Sequence, residues 1–272
     1  MSLKYYLLPA FFLFNSFNAY TQDDNIFGLQ NSLKYADYLI KSHNYKEAIP
    51  EIERLIYLVP NDTSLKIQLI NTYLRQQDYN SAIKKTRLFY PSINEMPLNF
   101  AKCYGKALLL NRSDSIASFV KENNYLPDSL KTNYLIAFDL LNKKWVLAKK
   151  ISGTSTPYYL NNILQQTDHI EYKSPGLALA LSAIIPGAGK IYTKNWKDGL
   201  IALVTVGLFS FESYMGFSRK GIGSAYGWIS GGLAGGFYAG NLYGSYRSAV
   251  LYNNKLDNKI IHETEEAITT HF

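Results

Sequence analysis

Hydrophobic and polar positions divide the chain into three stretches of different rhythm. Residues 5–14 form one short apolar run behind a single charge, Lys4. From about residue 25 to 160, apolar and polar residues mix at helical spacing, and a proline follows each cycle, at Pro60, Pro91, Pro127 and Pro157. Proline ends a helix because its ring clashes with the preceding turn and it donates no hydrogen bond. From Lys173 onward, long uncharged runs are separated by short basic connections. These rhythms predict an all-α chain.

The middle stretch repeats itself. SHNYKEAI at 42–49 aligns with QQDYNSAI at 76–83, and weaker copies follow in NRSDSIASF and NKKWVLAKK. The small residues Ala48, Ala82, Ala117 and Ala148 succeed one another at intervals of 34, 35 and 31. A helix–turn–helix period of about 34 residues marks the tetratricopeptide repeat, and residues 29–157 resemble that family. The resemblance implies that each alanine opens a second helix where two helices approach closely. It also implies a small residue twelve positions earlier in each first helix, which Ala36 and Gly105 match and from which Ile70 and Ile136 depart. Any other antiparallel helical array is the alternative. Either gives a solenoid with a groove and no inherent chemistry, so the expected ligand is a segment of a partner protein.

In the last third, Gly176–Gly189, Gly199–Phe211 and Gly221–Tyr246 carry no charge, the last over 26 residues. Lys190, Lys194 and Lys197 punctuate the first connection, Arg219 and Lys220 the second, and Arg247 follows the third. Long uncharged runs between basic, aromatic-rich connections read as membrane helices with interfacial anchors. Residues 173–250 are therefore expected to form a glycine-rich membrane domain of two or three helices. A buried soluble domain is the alternative, because the first two runs fall short of about 20 residues.

Within the third run, Gly232, Gly236, Gly240 and Gly244 recur at every fourth position, beside Gly227, Gly231 and Gly235. Such a row lets a second helix backbone come close. It is expected to be a helix-packing surface, within the chain or in self-association, because each interior glycine otherwise costs about 1 kcal/mol against alanine. Glu212 is a candidate intramembrane charge, since a carboxylate at membrane depth is costly and is retained for function. Its nearness to Arg219 and Lys220 makes an interfacial charge the alternative.

Pro186, Gly187, Gly189, Lys190 and Tyr192 form a Pro-Gly-x-Gly-x-x-Tyr core, followed by a basic, aromatic connection and a second apolar helix. With them, residues 173–255 resemble an uncharacterised bacterial membrane-domain family. That resemblance implies a membrane location and no reaction. Pro186 is expected to end the first helix, the glycines to allow a tight turn, and Lys190 and Tyr192 to anchor at headgroup level.

The N-terminus, MSLKYYLLPAFFLFNSFNAYT at 1–21, has the charged, apolar and small-polar parts of a secretory signal peptide. A short uncleaved anchor is the alternative. Cleavage would put the repeats, residues 25–160, on the exported side. Residues 161–172 read as a linker. Residues 251–272 read as a polar tail, either a solvated short helix or a lid on the repeats.

Composition narrows the function classes. Charged residues make up 18% and hydrophobic residues 47% of the 272, which suits a globular protein with a membrane part. The formal charge of +7 is scattered over helix faces and the edges of apolar runs, so no nucleic acid is expected. The single cysteine, Cys103, excludes an internal disulfide and reads as a small core residue. GAGK at 187–190 is not a phosphate loop, because Ile184 and Ile191 stand where glycine and Ser or Thr are required. His43, His169, His262 and His271 show no metal-ligand spacing. The reading is of a protein that is not an enzyme and needs no cofactor or metal. It is a scaffold anchored in a cell membrane, the bacterial inner membrane, with its repeats on the periplasmic side. An oligomeric pore or transport component built on the glycine row is the alternative.

Overall fold

The computed structural model describes residues 28–272, so the expected signal peptide at 1–21 lies outside the described residues. Its regular structure is entirely helical, with no strand among the described residues. In order, the helices are α1 (Leu29–Lys41), α2 (Tyr45–Leu58), α3 (Thr63–Arg75), α4 (Tyr79–Phe89), α5 (Leu98–Leu110), α6 (Ser115–Glu122) and α7 (Asp128–Leu141). They continue as α8 (Trp145–Ile151), α9 (Tyr158–Asp168), α10 (Pro175–Ile184), α11 (Ala188–Tyr192), α12 (Trp196–Lys220) and α13 (Ala225–His271). A 3-10 turn, Gly221–Gly223, separates the last two. The chain forms two compact units, one ending at Gln76 and one running from Gln77 to Phe272.

In the first unit, α1 and α2 are joined by a turn built around His43, whose φ is +61°. The His43 N–H donates to Ile40 O at 3.1 Å and the Asn44 N–H to Leu39 O at 2.9 Å. This is a Schellman cap, which satisfies the last carbonyls of a helix by putting one residue in the left-handed region. Ala36, Ala48, Ile52, Leu55, Leu65, Leu69 and Ile70 form the interior. The Asp62 side chain accepts from the Ser64 and Leu65 N–H groups and so caps α3. The Ser64 hydroxyl and those backbone donors hold its carboxyl below the usual range.

The second unit reuses the turn. Positive-φ residues other than glycine occur at Gln77, Arg112 and Lys143, at the same intervals from His43 as the sequence repeat. At Arg112 and Lys143 the paired bonds recur, from Arg112 to Leu109, Ser113 to Leu108, Lys143 to Leu140 and Lys144 to Asp139. Ala82 and Ala148 are, like Ala48, wholly buried. Leucine at Ala48 or Ala82 should therefore destabilise the fold by roughly 1–3 kcal/mol, the usual range for overpacking. A chemical unfolding midpoint unchanged from the parent would contradict this.

Ala117 departs from expectation: it is exposed, and Ile116 is buried instead. The helices α2, α4 and α8 start two residues after the left-handed residue, on Tyr45, Tyr79 and Trp145. In the third copy Asp114 stands there in an αR conformation, and α6 starts one residue later. The third copy lacks the aromatic helix start of the others, and its core positions are Ile116, Phe119 and Val120.

The expected linker, 161–172, is mostly helix, since α9 runs to Asp168. Apolar Leu160, Ile163 and Leu164 hold α9 in a cluster with Ile136, Leu140 and Ala148. Beyond it, α10 is ten residues long, and α11 is one short turn of five. Trp196–Gly223 is the one helical stretch among the described residues long and apolar enough to cross a membrane. The expected polar tail is no separate element. It continues α13, a 47-residue helix about 70 Å long at the α-helical rise.

Candidate functional site

The sequence concentrates its unusual residues in the Pro-Gly turn and in α13, and the structure brings the two together. Gly187 has a φ of +88°, and a Cβ there would lie 1.9 Å from Gly199 O. A Cβ on Gly189 would lie 1.9 Å from Ala178 O. These two glycines let α10, α11 and α12 touch through their backbones. α13 then reads the turn by hydrogen bonds: Asn241 Oδ1 accepts from the Gly187 N–H at 3.0 Å, and Asn241 Nδ2 donates to Ser182 O at 3.4 Å. The Ser182 hydroxyl accepts from the Gly189 N–H at 2.8 Å and meets the Ser245 hydroxyl at 2.6 Å. All these groups are buried, and a satisfied buried network fixes one register between helices.

Lys190 lies across Gly244, where a Cβ would be 3.1 Å from the lysine Cε. The Tyr192 hydroxyl accepts from the Ser174 N–H, and its ring lies 5.1 Å from the Lys173 ammonium. Pro186 is half-buried just before the turn. Glu212 is half-buried on α12 and has no hydrogen bond or ion pair among the described residues.

The glycine row does not pack as expected within the chain. A Cβ at Gly232, Gly236 or Gly240 would meet nothing within 4 Å. The close approaches lie on another face: a Cβ at Gly216 would be 2.7 Å from Gly227 Cα, and one at Gly231 would be 2.9 Å from the Ser213 hydroxyl. The buried face of this half of α13 is Gly227, Ser230, Ala234, Asn241, Ser245 and Ala249. Four residues turn a helix by about 400°, so an every-fourth row drifts roughly 40° per step and leaves any straight contact line. Gly236 and Gly240 instead floor a cleft of about 300 Å³ with Lys190, Phe237 and α12.

Past residue 250, α13 packs on α5, α7 and α9. Its buried face is Asp257, Ile260, Ile261, Thr264, Ala267 and Ile268. Ile260 and Ala267 join the cluster of Ile136, Leu140, Leu160, Ile163 and Leu164. Phe272 meets the ring of Tyr134 at 5.0 Å, and His271 stacks on Tyr159 at 4.1 Å. Polar ties flank this seam. Lys143 Nζ donates to Asp257 at 2.8 Å, Arg112 to Glu265 at 3.1 Å, and Lys106 to Thr269 O at 2.6 Å. The Tyr172 hydroxyl donates to Asp257 at 2.6 Å, and the Gln166 amide donates to Glu263. Burial, followed by this contact with the Asp257 carboxylate, pushes the Tyr172 hydroxyl pKa up.

A fifth copy of the turn lies outside the repeat region, at the start of α12. Lys194 has a φ of +63°, its N–H donates to Ile191 O, and the Asn195 N–H donates to Lys190 O, both at 2.9 Å. The residues TKNWKDG at 193–199 match SHNYKEA at 42–48 in character, with Trp196 opening α12 and buried Gly199 in the place of Ala48.

Burial pushes the Cys103 thiol pKa up, which disfavours the nucleophilic thiolate. Among the described residues no three of His, Cys, Asp and Glu gather as a metal site. No protein-family model, curated protein or solved structure matches the chain.

Proposed function

We propose that this chain is a membrane-anchored scaffold of tetratricopeptide-like repeats on the exported side of a bacterial membrane, the inner membrane. One observation carries the anchoring: α12 exposes Leu200, Ile201, Val204, Leu208, Phe211 and Tyr214, each at least half exposed. A continuous apolar face of this length is costly in water and suited to lipid. The half-buried Glu212, seven residues before Arg219, fits a charge near the interface. The recurrent left-handed turns before buried Ala48, Ala82 and Ala148 support a repeat array, whose chemistry is recognition of another protein. Export rests on the signal-like residues 1–21.

Membrane fractionation and chemical crosslinking of the expressed chain test this reading. The chain should resist carbonate extraction, its mature N-terminus should fall between residues 20 and 23, and crosslinks should join it to other proteins. Recovery in the soluble fraction would refute the anchor.

The open face at Gly232, Gly236 and Gly240 favours a second reading, an oligomeric pore or transport component. A ladder of self-adducts in the same crosslinking experiment would support it against the scaffold.

A further inference from the structure

We propose that the cleft between α12 and α13 holds one phospholipid with a primary-amine headgroup, its phosphate on Lys190, its ammonium on Asp198 and the top of one acyl chain over Gly236 and Gly240. This rests on the anchor reading and names the lipid that the anchored helices select. The cleft runs from charged to apolar along α12. Its lining there is Asp198, Ile201, Ala202, Thr205 and Val206. Residues three and four apart share one helix face, and this face descends about 12 Å at the α-helical rise. Asp198 stands in the first turn of α12, between Lys197 and Gly199 and two residues from Trp196. Trp196 is 58% exposed, and an exposed tryptophan beside a lysine marks headgroup level. Val206 lies deeper, between the exposed Val204 and Leu208 of the candidate span. An amphiphile changes from charged to apolar in the same direction.

The charges at the mouth choose the headgroup. Lys190 and Asp198 line the same cleft and form no ion pair with each other. Asp198 accepts from Asn195 Nδ2 at 2.7 Å. Lys190 lays its stem along Gly244, and its ammonium has no hydrogen bond or ion pair among the described residues. The neighbouring lysines are each set against a ring: Lys173 on Tyr192, Lys194 on Tyr252 and Lys197 on Trp196. A cation and an anion held apart in one cleft match a headgroup that carries both charges. A primary ammonium donates charge-assisted hydrogen bonds to a carboxylate. A choline headgroup has no N–H to donate, and a glycerol headgroup brings no cation to Asp198. Below the charges, a Cβ at Gly236 or Gly240 would meet nothing within 4 Å, so the floor is open. At about 300 Å³ the cleft is at the small end for a whole ligand. It takes the headgroup and the top of one chain, and the rest of the lipid lies in the bilayer along the apolar face of α12.

The test uses the full chain in detergent micelles and native mass spectrometry. Phosphatidylethanolamine, phosphatidylcholine and phosphatidylglycerol of identical acyl chains are added in turn. The parent should retain one molecule of phosphatidylethanolamine roughly fivefold more firmly than either of the others, the scale of one charge contact at a membrane surface. Lys190→Met keeps the stem over Gly244 and should lower retention of all three lipids, because all carry the phosphate. Asp198→Asn keeps an acceptor for Asn195 and should erase only the preference for ethanolamine. Gly236→Leu with Gly240→Leu fills the cleft and should abolish retention, with circular dichroism melting to verify folding. Should leucine disturb the fold, the two charge variants decide alone. Phosphatidylglycerol or phosphatidylcholine held as firmly as phosphatidylethanolamine by the parent would overturn the proposal, and so would retention unchanged in both charge variants. Either result would leave the carbonate-extraction test of anchoring untouched, whereas recovery of the chain in the soluble fraction would refute the anchor before any lipid is added.

Discussion

Alanine at Gly187 is expected to destabilise the C-terminal helices by about 3 kcal/mol or more, roughly 1–2 from left-handed strain and 1–3 from overpacking. The geometry leaves no cheap escape. The residue sits at φ +88°, and the added methyl would fall 1.9 Å from a backbone oxygen, Gly199 O. A side chain can swing aside, but a backbone carbonyl moves only with its helix, here α12. Shifting Gly187 instead breaks the bond from its N–H to Asn241, and an orphaned buried group adds about 1–3 kcal/mol. Alanine at Gly189 meets the same obstacle at Ala178 O. Alanine at Gly236 or Gly240 has open space and should stabilise the helix by up to about 1 kcal/mol. Denaturant titration in detergent, followed through Trp196 and Trp228, separates the cases. Equal midpoints for the Gly187 and Gly236 variants would show that the turn is not the keystone of these helices.

The contrast between those glycines marks where the sequence was readable and where it was not. Helical class and the repeat turn were legible because three features coincide locally: a polar residue taking the left-handed conformation, an aromatic two positions on, and a small residue three beyond that. Ala48, Ala82 and Ala148 obey this, and each is buried. Ala117 was misjudged because interval alone does not register the missing aromatic at Asp114, which lets α6 start late. The copy at Lys194 was missed for the converse reason: its local pattern is intact, but it lies 51 residues from the preceding copy and among apolar runs.

The every-fourth glycines of α13 do not mark its contact face. What α13 buries against its neighbours is a mixed row of small residues, Gly227, Ser230, Ala234, Asn241, Ser245 and Ala249. Close contact requires smallness, which serine and alanine supply without glycine's conformational cost, and serine adds a hydrogen-bonding group. Residues 251–272 read as a polar tail, solvated or a lid on the repeats, because charges dominate their average; they pack on α5, α7 and α9 as a lid would. Their apolar members nevertheless recur three or four apart, at 260, 261, 264, 267 and 268, which is the signature of a helix with one buried side.

That buried side leads to the second large effect. Alanine at Ile260 should destabilise the chain by about 2–5 kcal/mol, the cost of a core cavity, and valine by only about 0.5–1.5. Ile260 is 2% exposed and packs with Ile136, Leu140, Leu160, Ile163 and Leu164, so it belongs to the same core that holds α7 against α9. A cavity there loosens both sides of the seam at once. Amide exchange should rise over residues 256–272 and in α7 and α9, while α12 and the first half of α13 keep their protection. Alanine at His262, one turn face away and exposed, should leave both stability and exchange at the parental level. If Ile260→Ala behaves like His262→Ala, the second half of α13 is an ornament on the helices beneath it. Protection lost along the whole of α13 would instead mean that its two halves melt as one.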